Sequence, residues 1–125
     1  MKDKSTKTIL IVDNNEEDIE EISKIVKEMG YNFIGIDSAD SAVTQIKRGL
    51  EYDCLIVDDY MKSEGIEHHG GELVAMVSKK KNPKTKVIMV FAWGPHYKEN
   101  VDKFLNKFDS NLYSLIIKRC LKEYL

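Results

Sequence analysis

Hydrophobic residues along the chain fall into two alternating patterns. Short runs rich in Ile and Val occur at Thr8–Val12, Phe33–Ile36, Cys54–Val57 and Val87–Ala92, each four to six residues long. A strand wetted on one face alternates apolar and polar residues. An unbroken apolar run suits a strand covered on both faces, as in a parallel sheet. Between the runs, apolar residues recur at helical spacing. Ile19, Ile22, Ile25, Val26 and Met29 form one stripe, closed by Gly30. Asn14 or Asn15 is placed to cap this helix, and Glu16, Glu17 and Asp18 put negative charge at the positive end of its dipole. A second helix is predicted over Ser38–Arg48, with Ala42, Val43 and Ile46 inward and Gly49 as the stop. A third is predicted over Gly71–Lys80, with Leu73, Val74 and Val77 inward. A short polar fourth helix fits Pro95–Asp102, a weak fifth strand fits Lys103–Asn106, and a last helix runs from the capping Ser110 to Glu123.

The order is therefore strand–helix, five times over. Such alternation implies an α/β fold with a parallel sheet and helices on both faces, because crossovers between parallel strands are nearly always right-handed. For five strands the doubly wound order 2-1-3-4-5 is expected, with a ligand crevice at the carboxyl ends of strands one and three.

Composition narrows the function. A chain of 125 residues suits one domain, expected to span 1–125, with a core large enough to need no staples. Lys plus Arg is 19 and Asp plus Glu is 21, a net charge of −2. That balance gives no general attraction to nucleic acid. Cys54 and Cys120 lie far apart among apolar neighbours, with no CxxC spacing, and read as buried reduced thiols. The longest apolar run, Val87 to Trp93, is seven residues, far short of a membrane span. The charged start, Met1 to Lys7, is followed by too few apolar residues for a leader. The expectation is a soluble cytoplasmic protein with no membrane or nucleic-acid partner.

At the predicted crevice, strand one ends in Val12-Asp13-Asn14, strand three ends in Val57-Asp58-Asp59, and strand five is followed by Lys107. Crowded carboxylates repel unless a cation sits among them. Oxygen ligands on neighbouring strand ends suit Mg²⁺. A carboxylate beside Mg²⁺ and a lysine has the surroundings needed to attack a phosphoryl group and form an acyl phosphate.

These residues carry a resemblance. Ile9-Leu10-Ile11-Val12-Asp13-Asn14, Tyr52 to Met61 around Asp58, Gly70-Gly71-Glu72-Leu73, and Phe104-Leu105-Asn106-Lys107-Phe108 resemble the receiver domain of two-component response regulators, a flavodoxin-like fold. The similarity covers essentially the whole chain. It implies that Asp58 is the phosphoacceptor, that Asp13 opens an acidic pair, and that Asp13, Asn14, Asp58 and the Tyr60 carbonyl surround Mg²⁺. It implies that Lys107 pairs with the carboxylate or phosphoryl group. Phe104 stands where the family has an aromatic residue that changes rotamer on activation, or is an ordinary core ring.

The departures are equally specific. Asn14 replaces the acid that normally binds the metal directly, so Mg²⁺ binding should weaken, with Glu16 or Glu17 as possible compensators. Phe91 replaces a Thr or Ser, removing the hydroxyl that binds a phosphoryl oxygen. Lys62 and Phe108 replace two prolines. The Lys62–His69 loop is long and holds Glu64, Glu67, His68 and His69, a solvated loop or a metal-binding one. The run Lys79-Lys80-Lys81 is expected to be a solvated helix end. In the last helix Leu112, Leu115 and Ile116 are expected to face the sheet. Tyr113, Ile117, Leu121 and Tyr124 would then be partly exposed, a surface for a partner or homodimer. Alternatively, the truncated fourth helix lets the last helix bury more of itself.

The resemblance implies a stand-alone receiver that takes a phosphoryl group from a histidine kinase or phosphotransfer protein and signals to a downstream protein, a switch and not an enzyme. The rival is a pseudo-receiver, an interaction module independent of phosphorylation. A nucleotide or cofactor binder is disfavoured because no Gly-rich loop follows the first strand.

Overall fold

The apolar runs become adjacent strands of one parallel sheet. In the computed structural model, which describes residues 6–61, 69–91, 99–107 and 110–125, the strands are β1 (Thr8–Val12), β2 (Asn32–Ile36), β3 (Cys54–Asp58), β4 (Lys86–Phe91) and β5 (Lys103–Asn106). Their order is β2-β1-β3-β4-β5, every pair parallel. The helices are α1 (Glu16–Glu28), α2 (Ala39–Lys47), α3 (Gly70–Lys81) and α4 (Ser110–Tyr124).

Side chains alternate across a strand, so each apolar run feeds two cores. On one face Ile9, Ile11, Ile56, Ile88 and Val90 meet Ile22 and Val26 of α1 and Ile117 and Leu121 of α4. On the other, Leu10, Val12, Leu55, Val57, Val87 and Met89 meet Ala42 and Ile46 of α2 and Val74 and Ala75 of α3. Asn15 caps α1 by accepting from Glu17 N at 2.9 Å, and Ser38 caps α2 by accepting from Ser41 N at 3.2 Å. Cys54 and Cys120 are free and buried. Among the described residues, no helix is long and apolar enough to cross a membrane.

Three expectations change. First, α4 presents the opposite stripe to the sheet. Tyr113, Ile117, Cys120 and Leu121 are buried, whereas Leu115 is 50% exposed. The residues at 113, 117, 120 and 121 repeat at three and four, which makes one face. The large apolar surface expected on this helix is therefore core. Second, Lys80 and Lys81 are exposed at the helix end as expected, but Lys79 is not free: its Nζ lies 2.7 Å from Asp102 Oδ2. Third, the described end of the expected Pro95–Asp102 helix, residues 99–102, is turn and coil, with Asn100 at φ 65°. Its earlier part lies outside the described residues, as do Lys62, Glu64, Glu67, His68, Phe108 and Trp93.

Candidate functional site

Strand ends create the site. β1 and β3 are neighbours in register, Val12 opposite Val57, so the residues that follow, Asp13 and Asp58, emerge side by side. Both are nearly buried, 2% and 4% exposed. Asp13 Oδ1 accepts from Asn15 N at 2.9 Å, which turns the chain into α1. Asp58 Oδ1 accepts from Tyr60 N at a longer 3.4 Å. Beyond β5, Lys107 N donates to Phe91 O at 2.7 Å, tying the lysine's backbone to the end of β4. Its Nζ then reaches 3.7 Å from Asp58 Oδ2.

Sequence reasoning gave Asp18 only a helix-dipole role. In the structure its Oδ2 lies 2.7 Å from Lys107 Nζ, closer than Asp58. The spacing contained the clue: Asp18 is one α-helical turn from Asn14 and Asn15, on the first turn of the helix that opens at the rim. Glu16 and Glu17, the expected compensators, are exposed, as is Asn14.

The electrostatics follow from this crowding. Burial, and next the charge of Asp58, push the Asp13 carboxyl up to about 7. Burial also raises Asp58, although Lys107 and the Tyr60 N–H pull it down. Burial alone would lower Lys107, but the bond to Asp18 and the charges of Asp58 and Asp13 outweigh it, so the ammonium is held. One lysine thus faces three carboxylates. That excess of buried negative charge, made of hard oxygen donors, fits a Mg²⁺ ion.

Close packing fixes β3 against α3. A Cβ on Gly71 would run into the Asp58 carbonyl oxygen, and one on Gly70 would meet Met61 O at 2.7 Å. Only glycine admits α3 so near the acid-bearing turn.

Comparison with solved structures agrees with this geometry. The response regulator TrrA from Thermotoga maritima, in complex with Mg²⁺–BeF, matches with a TM-score of 0.75 and 26% identity over 96% of this chain and 100% of that one. A CheY-like receiver domain protein from Methanospirillum hungatei matches with a TM-score of 0.74 and 22% identity over 96% of this chain and 97% of that one. A CheY-like receiver domain from Methylobacillus flagellatus matches with a TM-score of 0.72 and 15% identity over 97% of this chain and 100% of that one. The chain has the fold of a response-regulator receiver domain. By sequence, no family model matches it and no curated protein is significantly similar to it.

This receiver fold departs from its resemblance mainly at β4 and β5. Phe91 packs edge-on against Phe104, ring centroids 6.1 Å apart. Two positions implicated by resemblance in a hydroxyl-to-aromatic switch are here one hydroxyl-free aromatic pair. Tyr60 is half exposed, its backbone N–H on Asp58. Of the loop residues considered for metal binding, His69 is described. It lies with Asp59 and Glu72, one donor atom from each within 4.8 Å of the others, Nδ1 being 3.9 Å from Glu72 Oε1.

Proposed function

We propose that this receiver fold works as a phosphoryl-accepting switch rather than an enzyme. On this reading it is cytoplasmic, with a histidine kinase or phosphotransfer protein as donor and a downstream protein as target. The observation that carries it is the buried Asp58 carboxylate between Asp13 and the Lys107 ammonium. An Asp58 oxygen attacks the phosphorus of a phosphohistidine. The O–P bond forms as the N–P bond breaks, and the histidine nitrogen keeps the electron pair. Lys107 supplies positive charge beside the accepting oxygen. Asp13, Asp58 and the Tyr60 carbonyl would hold Mg²⁺, with Asn14 available as a neutral ligand. When bound, the ion would offset charge on the transferring oxygens. Raised carboxyls at Asp13 and Asp58 support a site that is short of cations on its own.

The test is intact-mass spectrometry after incubation with Mg²⁺ and a small phosphoryl donor, beside Asp58→Ala. One added phosphoryl group on the wild type alone supports the reading. No adduct, or the same adduct on the variant, overturns it. The rival reading is a phosphorylation-independent interaction module, motivated by the Phe91–Phe104 pair, which lacks the hydroxyl that would meet the phosphoryl group. Absence of both the adduct and any Mg²⁺-dependent change in Trp93 fluorescence would favour that rival.

A further inference from the structure

We infer that Asp18 is the resting berth of Lys107, and that a phosphoryl group on Asp58 draws the lysine off Asp18, so that the link between α1 and the end of β5 reports the phosphorylation state. The inference rests on the phosphoacceptor reading of Asp58.

The ammonium is shared unequally. At 2.7 Å from Asp18 it makes a close ion pair; at 3.7 Å from Asp58 it is outside hydrogen-bond range and feels only charge. The backbone of Lys107 is fixed by its bond to Phe91 O, so moving between acids requires only side-chain rotation on the four-carbon stem. Phosphorylation changes the competition. It replaces a carboxylate of one charge with a group of roughly −1.5 to −2 carrying three strong acceptor oxygens. Asp18 stays a single carboxylate on the first turn of α1, so it loses the contest. The lysine's departure leaves the Asp18 charge, at the start of α1, uncompensated beside the other acids of the rim, Asp13 among those it already pushes up. This gives a receiver fold without a hydroxyl at Phe91 a second way to transmit the event, toward α1 and the α4 helix beside it.

The experiment measures binding of Mg²⁺–BeF, as a phosphoryl mimic, to the full chain by calorimetry. The chains compared are wild type, Asp18→Asn, Lys107→Ala and the double variant. If wild-type binding requires Lys107 to leave Asp18, removing the Asp18 charge tightens binding about five-fold, the scale of a partly exposed ion pair. Simple relief of repulsion would tighten binding in the Lys107→Ala background too; the berth predicts that the gain vanishes there. NMR of the Lys107 Nζ gives a readout independent of affinity. In Asp18→Asn without ligand, its resonance should already lie toward the BeF-bound position. Weaker binding in Asp18→Asn, or an equal gain with and without Lys107, overturns the inference while leaving Asp58 as acceptor. Failure of the wild type to bind Mg²⁺–BeF or to take up a phosphoryl group overturns the underlying reading, and the berth with it.

Discussion

At the edge where the strands begin, Asp53 and Asp102 are well supplied with partners. Asp53 Oδ2 accepts from Thr8 N at 2.8 Å. Asp102 Oδ2 accepts from Val87 N at 2.8 Å and lies 2.7 Å from Lys79 Nζ. At the edge where the strands end, Asp13 and Asp58 are buried side by side and share one lysine with Asp18. The same residue type therefore splices strands together at one edge and stores unfavourable charge at the other. The first arrangement holds the sheet; the second leaves buried carboxylates short of positive charge.

The sharpest way to break this contrast is at Asp58. Asp58→Asn should abolish the phosphoryl adduct seen by intact mass while preserving the far-ultraviolet spectrum; a surviving adduct would put the acceptor elsewhere. Next in size is Gly71→Ala, which forces a methyl into the Asp58 carbonyl. A loss of about 3 kcal/mol in denaturant unfolding is expected, and a neutral result would mean that α3 docks less tightly than described.

The charged edge should also reveal itself through pH. The folded chain holds the Asp13 proton up to about 7, against an ordinary value of 3.8. Between those limits the folded state binds more protons than the unfolded state, so stability falls as pH rises and levels off above about 7. In chelator the total change should be on the order of 2–4 kcal/mol, and Asp13→Asn should remove most of it, leaving the smaller share of Asp58. Urea midpoints across pH 4 to 8, on the order of one unit apart, test this; a slope as steep in the variant as in the wild type assigns it to another group. The smallest effect is expected at the opposite edge. Asp102→Asn should cost about 1 kcal/mol by weakening the charge-assisted bonds, with Mg²⁺ binding unchanged by calorimetry. Any change in Mg²⁺ binding would show that the two edges are coupled.

Much of this was legible in the chain. The four Ile- and Val-rich runs announced four of the five strands, because burial on both faces leaves no room for alternation. β5, at Lys103–Asn106, was legible despite being short and polar at its ends. Asp13, Asp58 and Lys107 were legible because they sit immediately beyond strand ends, where topology dictates neighbourhood. Asp18 was not. Its partner is 89 positions away (107 − 18), and an acid on a helix's first turn has a sufficient local reason to be there. The face of α4 was misread for a related reason: Leu112, Leu115 and Ile116 make as good a helical stripe as Tyr113, Ile117 and Leu121. Only packing against α1 and the sheet decides between them.

The contact between Gly70 N and Met61 O, 2.7 Å long, has a use in protein engineering. The chain departs at Met61 and returns at Gly70 to within one hydrogen bond, so these two positions are pinned to each other. Closing a loop twice as long costs only about 0.6 kcal/mol more. A peptide tag or a fluorescent reporter could be spliced in between these two residues without altering the path of β3 or α3. A graft anchored at Met61, three residues after Asp58, would serve as a sensor of the charge of the acid cluster.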